Sequence, residues 1–166
     1  MAMIIAIIAT AVMLTEVTKA GYVDLFRDAD FKDTLARVDD VVLDACYSFT
    51  CPNLDNAITS AKWHGLPETG ILFEGGDAFI LFNTGKNCDG KDHRWPINTQ
   101  SRKGKHFPEN FRLDGINDDI SSFKVLNKGG DAGMMYICSL PESGEAINAT
   151  ASEGSSSSAN NTMHYM

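Results

Sequence analysis

Asp55-Asn56-Ala57-Ile58-Thr59-Ser60 (DNAITS) and Asn117-Asp118-Asp119-Ile120-Ser121-Ser122 (NDDISS) are two copies of one hexapeptide. Both read (N/D)(N/D)-x-x-(S/T)-S with Ile in fourth place. Each is followed shortly by a Lys and an apolar or aromatic residue, in AKW and FKV. Upstream of each stands an aromatic that ends an apolar run and enters a turn: Phe26 in LFRDADFKD and Phe82 in LFNTGKNCDG. A unit used twice at this spacing predicts one supersecondary motif repeated within a single core.

The hexapeptide carries the chemistry of a hard cation. Calcium takes six to eight oxygens in flexible geometry, from carboxylates, amides, hydroxyls and backbone carbonyls. Six residues here offer every one of these. Asp and Asn also cap turns, and Ser and Thr satisfy local backbone groups, so a single copy would be read as a turn. Two copies in matched contexts favour calcium. Neither copy has the twelve-residue spacing and closing Glu of an EF-hand.

Working outward, the flanking sequence reads as short strands. YVDLF, GILF, DAFILF, SSFKVL and GMMYIC are apolar runs cut by Gly, Asn and Asp, the pattern of antiparallel strands. DTLARVDDVVLDA (33–45) is the best helical candidate, but it is rich in Asp and β-branched residues. The expected class is an all-β sandwich.

The chain has 166 residues, a length suited to one domain, with 22 acidic against 14 basic side chains and a net charge of −8. That balance excludes a nucleic-acid binder working through phosphates, which needs clustered Lys and Arg. Met1–Leu14 is apolar and uncharged but too short for a comfortable membrane span. Thr18 and Ala20 are small residues at signal-peptidase spacing, so residues 1–20 are expected to be a signal peptide, and the protein to be secreted with no membrane span. Residues 140–166 are rich in Ser, Ala, Gly and Asn and are expected to be a disordered tail, with glycosylation acceptors at Asn148 and Asn160.

Four cysteines behind a signal peptide predict two disulfides, and four cysteines allow three connectivities. The favoured pairing is Cys46–Cys51 with Cys88–Cys138. No Cys-x-x-Cys is present and the histidines are scattered, which argues against zinc.

The repeated strand–aromatic–turn followed by the hexapeptide resembles the βγ-crystallin superfamily. CPNLDNAITSAKWHGLP, FNTGKNCDG and FPENFRLDGINDDISSFKV look like its secreted microbial calcium-binding members. The resemblance spans roughly 22–127 and implies a βγ-crystallin-like sandwich of two Greek-key motifs, about 22–63 and 77–127 within a domain 21–139. An extra strand at 133–138 follows. It also implies two calcium sites built jointly by both motifs. Asn56 and Asp118 are the implied side-chain ligands, and Thr59 and Ser121 the hydroxyl ligands. Ala57, Asp119, Arg27 and Asn83 would lend carbonyls, while Asp55 and Asn117 brace the loops. Ser60 and Ser122 match the serine that pins the folded hairpin.

Two departures stand out. Asp33 occupies the place of a family Gly, and in the second motif Gly90 arrives one residue late when Phe82 is matched to Phe26, with Cys88 near where an aromatic belongs.

Gly85–Lys91 spells GxxxxGK, most of a phosphate loop, but Asp92 stands where Ser or Thr is required and no helical pattern follows. GxSxG and HExxH are absent. His64 and His93 read as solvated turn residues, Trp63 and Trp95 as packing, and Arg102, Lys103, Lys105 and His106 as an exposed basic loop. The expectation is a monomeric, non-catalytic, calcium-binding extracellular module with an unknown protein or surface partner. The alternative is a toxin, elicitor or protease inhibitor on the same fold, with KHFPEN or WHGLPETG as its rigid loop.

Overall fold

The computed structural model describes residues 19–100, 108–138 and 150–151. The signal-peptide segment 1–18, the basic loop, both glycosylation acceptors and most of the tail lie outside these residues. Among the described residues nine strands are formed: β1 (Lys19–Asp28), β2 (Lys32–Val42), β3 (Cys46–Phe49), β4 (Ser60–His64), β5 (Phe79–Asn83), β6 (Asp92–Pro96), β7 (Ser122–Leu126), β8 (Met134–Ile137) and β9 (Thr150–Ala151). Short 3-10 turns occur at Lys86–Cys88 and Ile97–Gln100, and there is no α-helix among the described residues.

The strands make two sheets, ordered β2-β1-β4 and β6-β5-β7-β3-β8-β9. Within each half of the chain the same order recurs, since β2-β1-β4 matches β6-β5-β7. The third strand of the first half, β3, leaves its own sheet and pairs antiparallel with β7. The second half does the same. Residues 108–111 run beside β4, with the Ala61 N–H donating to Pro108 O at 3.0 Å and the Phe111 N–H to Thr59 O at 2.7 Å. This is the two-motif Greek-key sandwich the repeat predicts.

The best helical candidate of the sequence is β2. Leu35, Ala36, Val38, Val41 and Val42 are buried there, and a strand can bury this β-branched set against the facing sheet without crowding χ1. GILF (70–73) is not a strand. Ile71 is 79% exposed, and the loop is closed by a single bridge, Thr69 to Asp77, and by backbone bonds that include the Ile71 N–H to Asn127 O at 2.8 Å. GMMYIC forms β8 as expected, but it runs parallel to β3, not antiparallel, because the chain crosses back from β7 before pairing. Two residues of the tail, Thr150 and Ala151, pair with β8 as β9. Lys19 and Ala20, the last residues of the expected leader, already pair with Val42 and Val41.

The core lies between the sheets. Phe82 is its centre, with ring centroids 5.1 Å from Phe111, 6.0 Å from Phe123 and 6.0 Å from Trp95. Tyr47 stacks on Phe123 at 4.7 Å and its hydroxyl accepts the Val42 N–H at 2.6 Å; burial pushes that phenol above its ordinary pKa. Trp63 and Trp95, both 6% exposed, are packing residues as read. His64 and His93 lie at the end of β4 and in β6 rather than in turns, each beside an aromatic ring, Tyr22 and Trp95.

The four cysteines form two disulfides, but with another pairing than expected: Cys46–Cys88 and Cys51–Cys138. The reason is strand geometry. Cys46 opens β3, and an extended chain rises about 3.3 Å per residue, which carries Cys51 too far for a bridge of about 4.4–6.8 Å between Cα atoms. The parallel register instead sets Phe49 opposite Ile137, so Cys51 and Cys138 arrive together with Cα atoms 4.9 Å apart. The closed loops span 42 and 87 residues, each constraining the unfolded chain by about 4–5 kcal/mol in the entropic model.

Asp44 is the knot between β7 and β8. It is buried, in the left-handed region at φ 63°, and its carboxylate accepts the N–H groups of Asn127, Lys128 and Gly129 at 3.0, 3.1 and 3.2 Å. Non-reducing peptide mapping is expected to return cross-linked Cys46–Cys88 and Cys51–Cys138 peptides, and a Cys46–Cys51 peptide would refute this pairing. Asp44→Ala strands three amide donors, so denaturant melts should show a loss of about 3 kcal/mol.

Candidate metal centre

Each half folds a hairpin down over the outer face of its own sheet. Three non-glycyl residues of the first hairpin adopt positive φ: Asp30 (57°), Phe31 (59°) and Asp33 (54°). The second repeats this at Asn87 (60°), Cys88 (58°) and Gly90 (81°). Left-handed geometry costs about 1–2 kcal/mol per non-glycyl residue, so both hairpins need tethers.

The sixth hexapeptide residue supplies one. The Ser60 hydroxyl donates to Asp28 O at 2.6 Å and accepts the Phe31 N–H at 3.2 Å. The Ser122 hydroxyl donates to Gly85 O at 2.6 Å and accepts the Cys88 N–H at 3.0 Å. Both serines are fully buried. The second hairpin has two further ties: the Asn87 N–H donates to Ser48 Oγ at 3.2 Å, and Cys88 is bonded to Cys46. In the first hairpin the place of Cys88 belongs to Phe31, whose ring meets Phe26 edge-on at 5.7 Å. The disulfide therefore replaces an aromatic contact.

These pairings correct the alignment of the two motifs. Phe26 faces Ser60 across the ladder, and Asn83 faces Ser122. Phe26 is therefore the mate of Asn83, not of Phe82, which points into the core. Every hairpin position then shifts by the same interval, Phe26 to Asn83, Asp28 to Gly85, Phe31 to Cys88 and Asp33 to Gly90. Gly90 is in place, not late. A Cβ there would lie 2.8 Å from Thr84 Oγ1 and 2.9 Å from Gly85 N. Its mate Asp33 accommodates the same conformation with its carboxylate paired to Arg27 at 3.1 Å. Arg27 and Asn83, expected to lend matching carbonyls, are likewise not mates; Arg27 matches Thr84.

The hexapeptides meet at one end of the sandwich. The second residues Asn56 and Asp118 are both left-handed, φ 58° and 57°, and both exposed. The fifth residues Thr59 and Ser121 are buried, and their N–H groups donate to Phe26 O and Asn83 O, each at 2.9 Å. The Asn56 N–H donates to Ile120 O at 3.0 Å, and the Ser121 hydroxyl donates to Asn56 Oδ1 at 3.2 Å. Asn56, Ser121 and Asn83 O are thus gathered from both halves into one place.

The mirror set is less closed. The Asp118 carboxylate accepts from the Asn117 side-chain amide and is not bonded to Thr59. Ala57 and Asp119, the third residues of the loops, have carbonyls that accept no backbone hydrogen bond among the described residues. The two first residues share a sharper feature. Asp55 Oδ1 and Asn117 Oδ1 are buried acceptors with no hydrogen-bond partner among the described residues; so is the donor Asn83 Nδ2. Leaving such an acceptor unsatisfied costs about 1–3 kcal/mol, which a bound cation would recover.

The other Asp55 oxygen is paired with Lys86 at 3.1 Å, a residue the sequence reading passed over as part of a false phosphate loop. The structure also disposes of that phosphate loop: GKNCDGK is the second hairpin, with Cys88 in a disulfide and β6 following in place of a helix. Among the described residues no group of three or more His, Cys, Asp or Glu converges, so a metal site here would need amides, hydroxyls and carbonyls beside at most two such side chains.

No family model and no curated protein matches the chain. Among solved structures, it is similar to a domain studied for the evolution of the eye-lens βγ-crystallin fold, at 16% identity over 69% of this chain and 93% of that one, TM-score 0.42. It is similar to an archaeal βγ-crystallin, at 18% identity over 64% and 96% of the two chains, TM-score 0.39. A βγ-crystallin domain from Clostridium beijerinckii is similar at 14% identity over 63% and 95%, TM-score 0.39.

Ser122→Ala should destabilise the fold by about 2–3 kcal/mol in denaturant melts, since it strands the Cys88 N–H and unpins a hairpin of left-handed residues. Ser60→Ala should do the same to the first hairpin, and more severely, because no disulfide backs it up.

Proposed function

We propose that this chain is a secreted, non-catalytic calcium-binding module in which the metal braces the end of a disulfide-bonded sandwich. The observation that carries the reading is the convergence of Asn56 Oδ1 and Ser121 Oγ, 3.2 Å apart and drawn from opposite halves, beside the unpartnered buried oxygens of Asp55 and Asn117. The ligand chemistry is that of a hard cation held mostly by neutral oxygens.

One site would draw on Asn56, Ser121 and Asn83 O. Its mate would draw on Asp118, Thr59 and a carbonyl at Phe26 or Arg27. Ala57 and Asp119 would lend carbonyls, with Asp55 and Asn117 bracing each loop. Calcium here supplies no reaction; it cross-links the two halves. Secretion is supported by two disulfides and by the apolar leader, which is followed by small residues.

Sites with few carboxylates belong at about 10⁻⁵ to 10⁻³ M, so extracellular calcium would occupy them. Isothermal titration should give binding heat in that range, and calcium at a hundredfold excess over Kd should stabilise by about 2.7 kcal/mol per site relative to chelator. Magnesium should substitute poorly, because it demands tight octahedral geometry. Ser121→Ala should weaken the Asn56 site and, through the shared halves, disturb its mate. Equal melting temperatures in calcium and chelator, with no heat up to millimolar calcium, would refute the reading.

A further inference from the structure

The two candidate sites differ in charge at matched positions. Beside the first hexapeptide, the Asp55 carboxylate is paired with the Lys86 ammonium at 3.1 Å; the carboxylate side chain is 15% exposed and the lysine 52%. Lys86 belongs to the second hairpin, the one that also presents Asn83 O to Ser121. It therefore stands at the point where both halves contribute to the Asn56 site. At the mirror positions the chain has Asn117 for Asp55 and Ala29 for Lys86, so neither charge is present. Asn117 turns its amide to Asp118, the acidic counterpart of Asn56, and no side-chain ammonium can come from Ala29.

We infer that Lys86 is a tethered counter-cation that competes with calcium at the Asn56–Ser121 site, making the two sites unequal and filling the Asp118–Thr59 site first. The inference rests on the calcium reading above and assigns an order and a cause within it. With the ammonium in place, Asp55 Oδ2 is already neutralised, and the Asn56 site offers a divalent ion only neutral oxygens plus a nearby positive charge. The mirror site keeps the Asp118 carboxylate, and the cations of its hairpin, Arg27 and Lys32, are paired within that hairpin to Asp33 and Asp30 at 3.1 and 3.8 Å. A unit charge a few ångströms from a divalent ion, at screening close to that of water, changes binding roughly tenfold. Because the lysine side chain is half exposed, it can swing clear into water when calcium is abundant, so the site is weakened rather than closed.

The test is calcium titration of the full chain by calorimetry, with melting in chelator as the fold control, on the native protein, Lys86→Met, Lys86→Arg and Ala29→Lys. Lys86→Met keeps most of the aliphatic stem and removes the charge. It should tighten the weaker binding step roughly tenfold and leave the stronger step unchanged. A native protein that binds one ion and a Lys86→Met variant that binds two is the same result in stronger form. Lys86→Arg keeps the charge and should titrate like the native chain. Ala29→Lys places an ammonium at the mirror position and should weaken the stronger step. Two steps that Lys86→Met leaves unmoved would overturn the role of Lys86 while the calcium reading stands. No binding in any variant would overturn both.

Discussion

The antiparallel pairing of β3 with β7 is the constraint on which the rest depends. Each half of the chain can build only three strands of its own sheet and must borrow the fourth element from the other half. The hydrophobic core is therefore indivisible, with Tyr47 and Phe49 of the first half packed on Phe123 of the second. The same exchange joins the loops. The hexapeptide that follows β3 meets the one that precedes β7, because the Phe49 N–H donates to Ser121 O and the Asn56 N–H to Ile120 O at 2.9 and 3.0 Å. Segments 62 residues apart in the chain become neighbours through this pairing and the hydrogen bonds it allows between the loops.

The hairpins show how the molecule holds strained backbone in place. A bulky residue such as Phe31 in the left-handed region is an outlier that isolated sequence would avoid. It persists because one buried serine both donates to and accepts from the hairpin. The two halves then diverge in their second tether. The first half sets Phe31 edge-on to Phe26 and lays Lys62 over both rings, at 5.2 and 5.9 Å. The second bonds Cys88 to Cys46, which anchors the hairpin to the exchanged strand itself. A covalent tie to β3 links the hairpin that carries Asn83 and Lys86 to the strand that leads into Asp55.

The chemistry at the shared end follows from that placement. Oxygens that serve turns in a lone loop become a converging set when two loops face each other. The Ser121 hydroxyl finds the Asn56 amide, while Asp55 and Asn117 each keep a buried oxygen with no partner among the described residues. Pseudo-symmetry sets the shape of both places, and the local sequence sets their charge. Asp55 with Lys86, against Asn117 with Ala29, leaves both pairs neutral by different means, and only one of them holds a cation.

The repeat and the all-β class were legible in the sequence, because each rests on local chemistry. Residue type sets turn geometry and short apolar runs set strands, whereas the serine pins came through the family resemblance, since each hydroxyl reaches a hairpin far upstream in the chain. The pairings across the chain were not legible. Cys46 and Cys51 are five residues apart in sequence and looked like natural partners, until the extended β3 held them apart and the parallel β8 brought Cys138 to Cys51. Phe82 looked like the mate of Phe26, until the ladder set Asn83 opposite Ser122 and turned Phe82 into the core, since side chains alternate faces and a slip of one residue reverses them. Asp55 and Lys86 met for the same reason. Local sequence determined which oxygens each loop could offer, and strand exchange and register, which depend on long-range pairing, decided which oxygens and charges came to share one place.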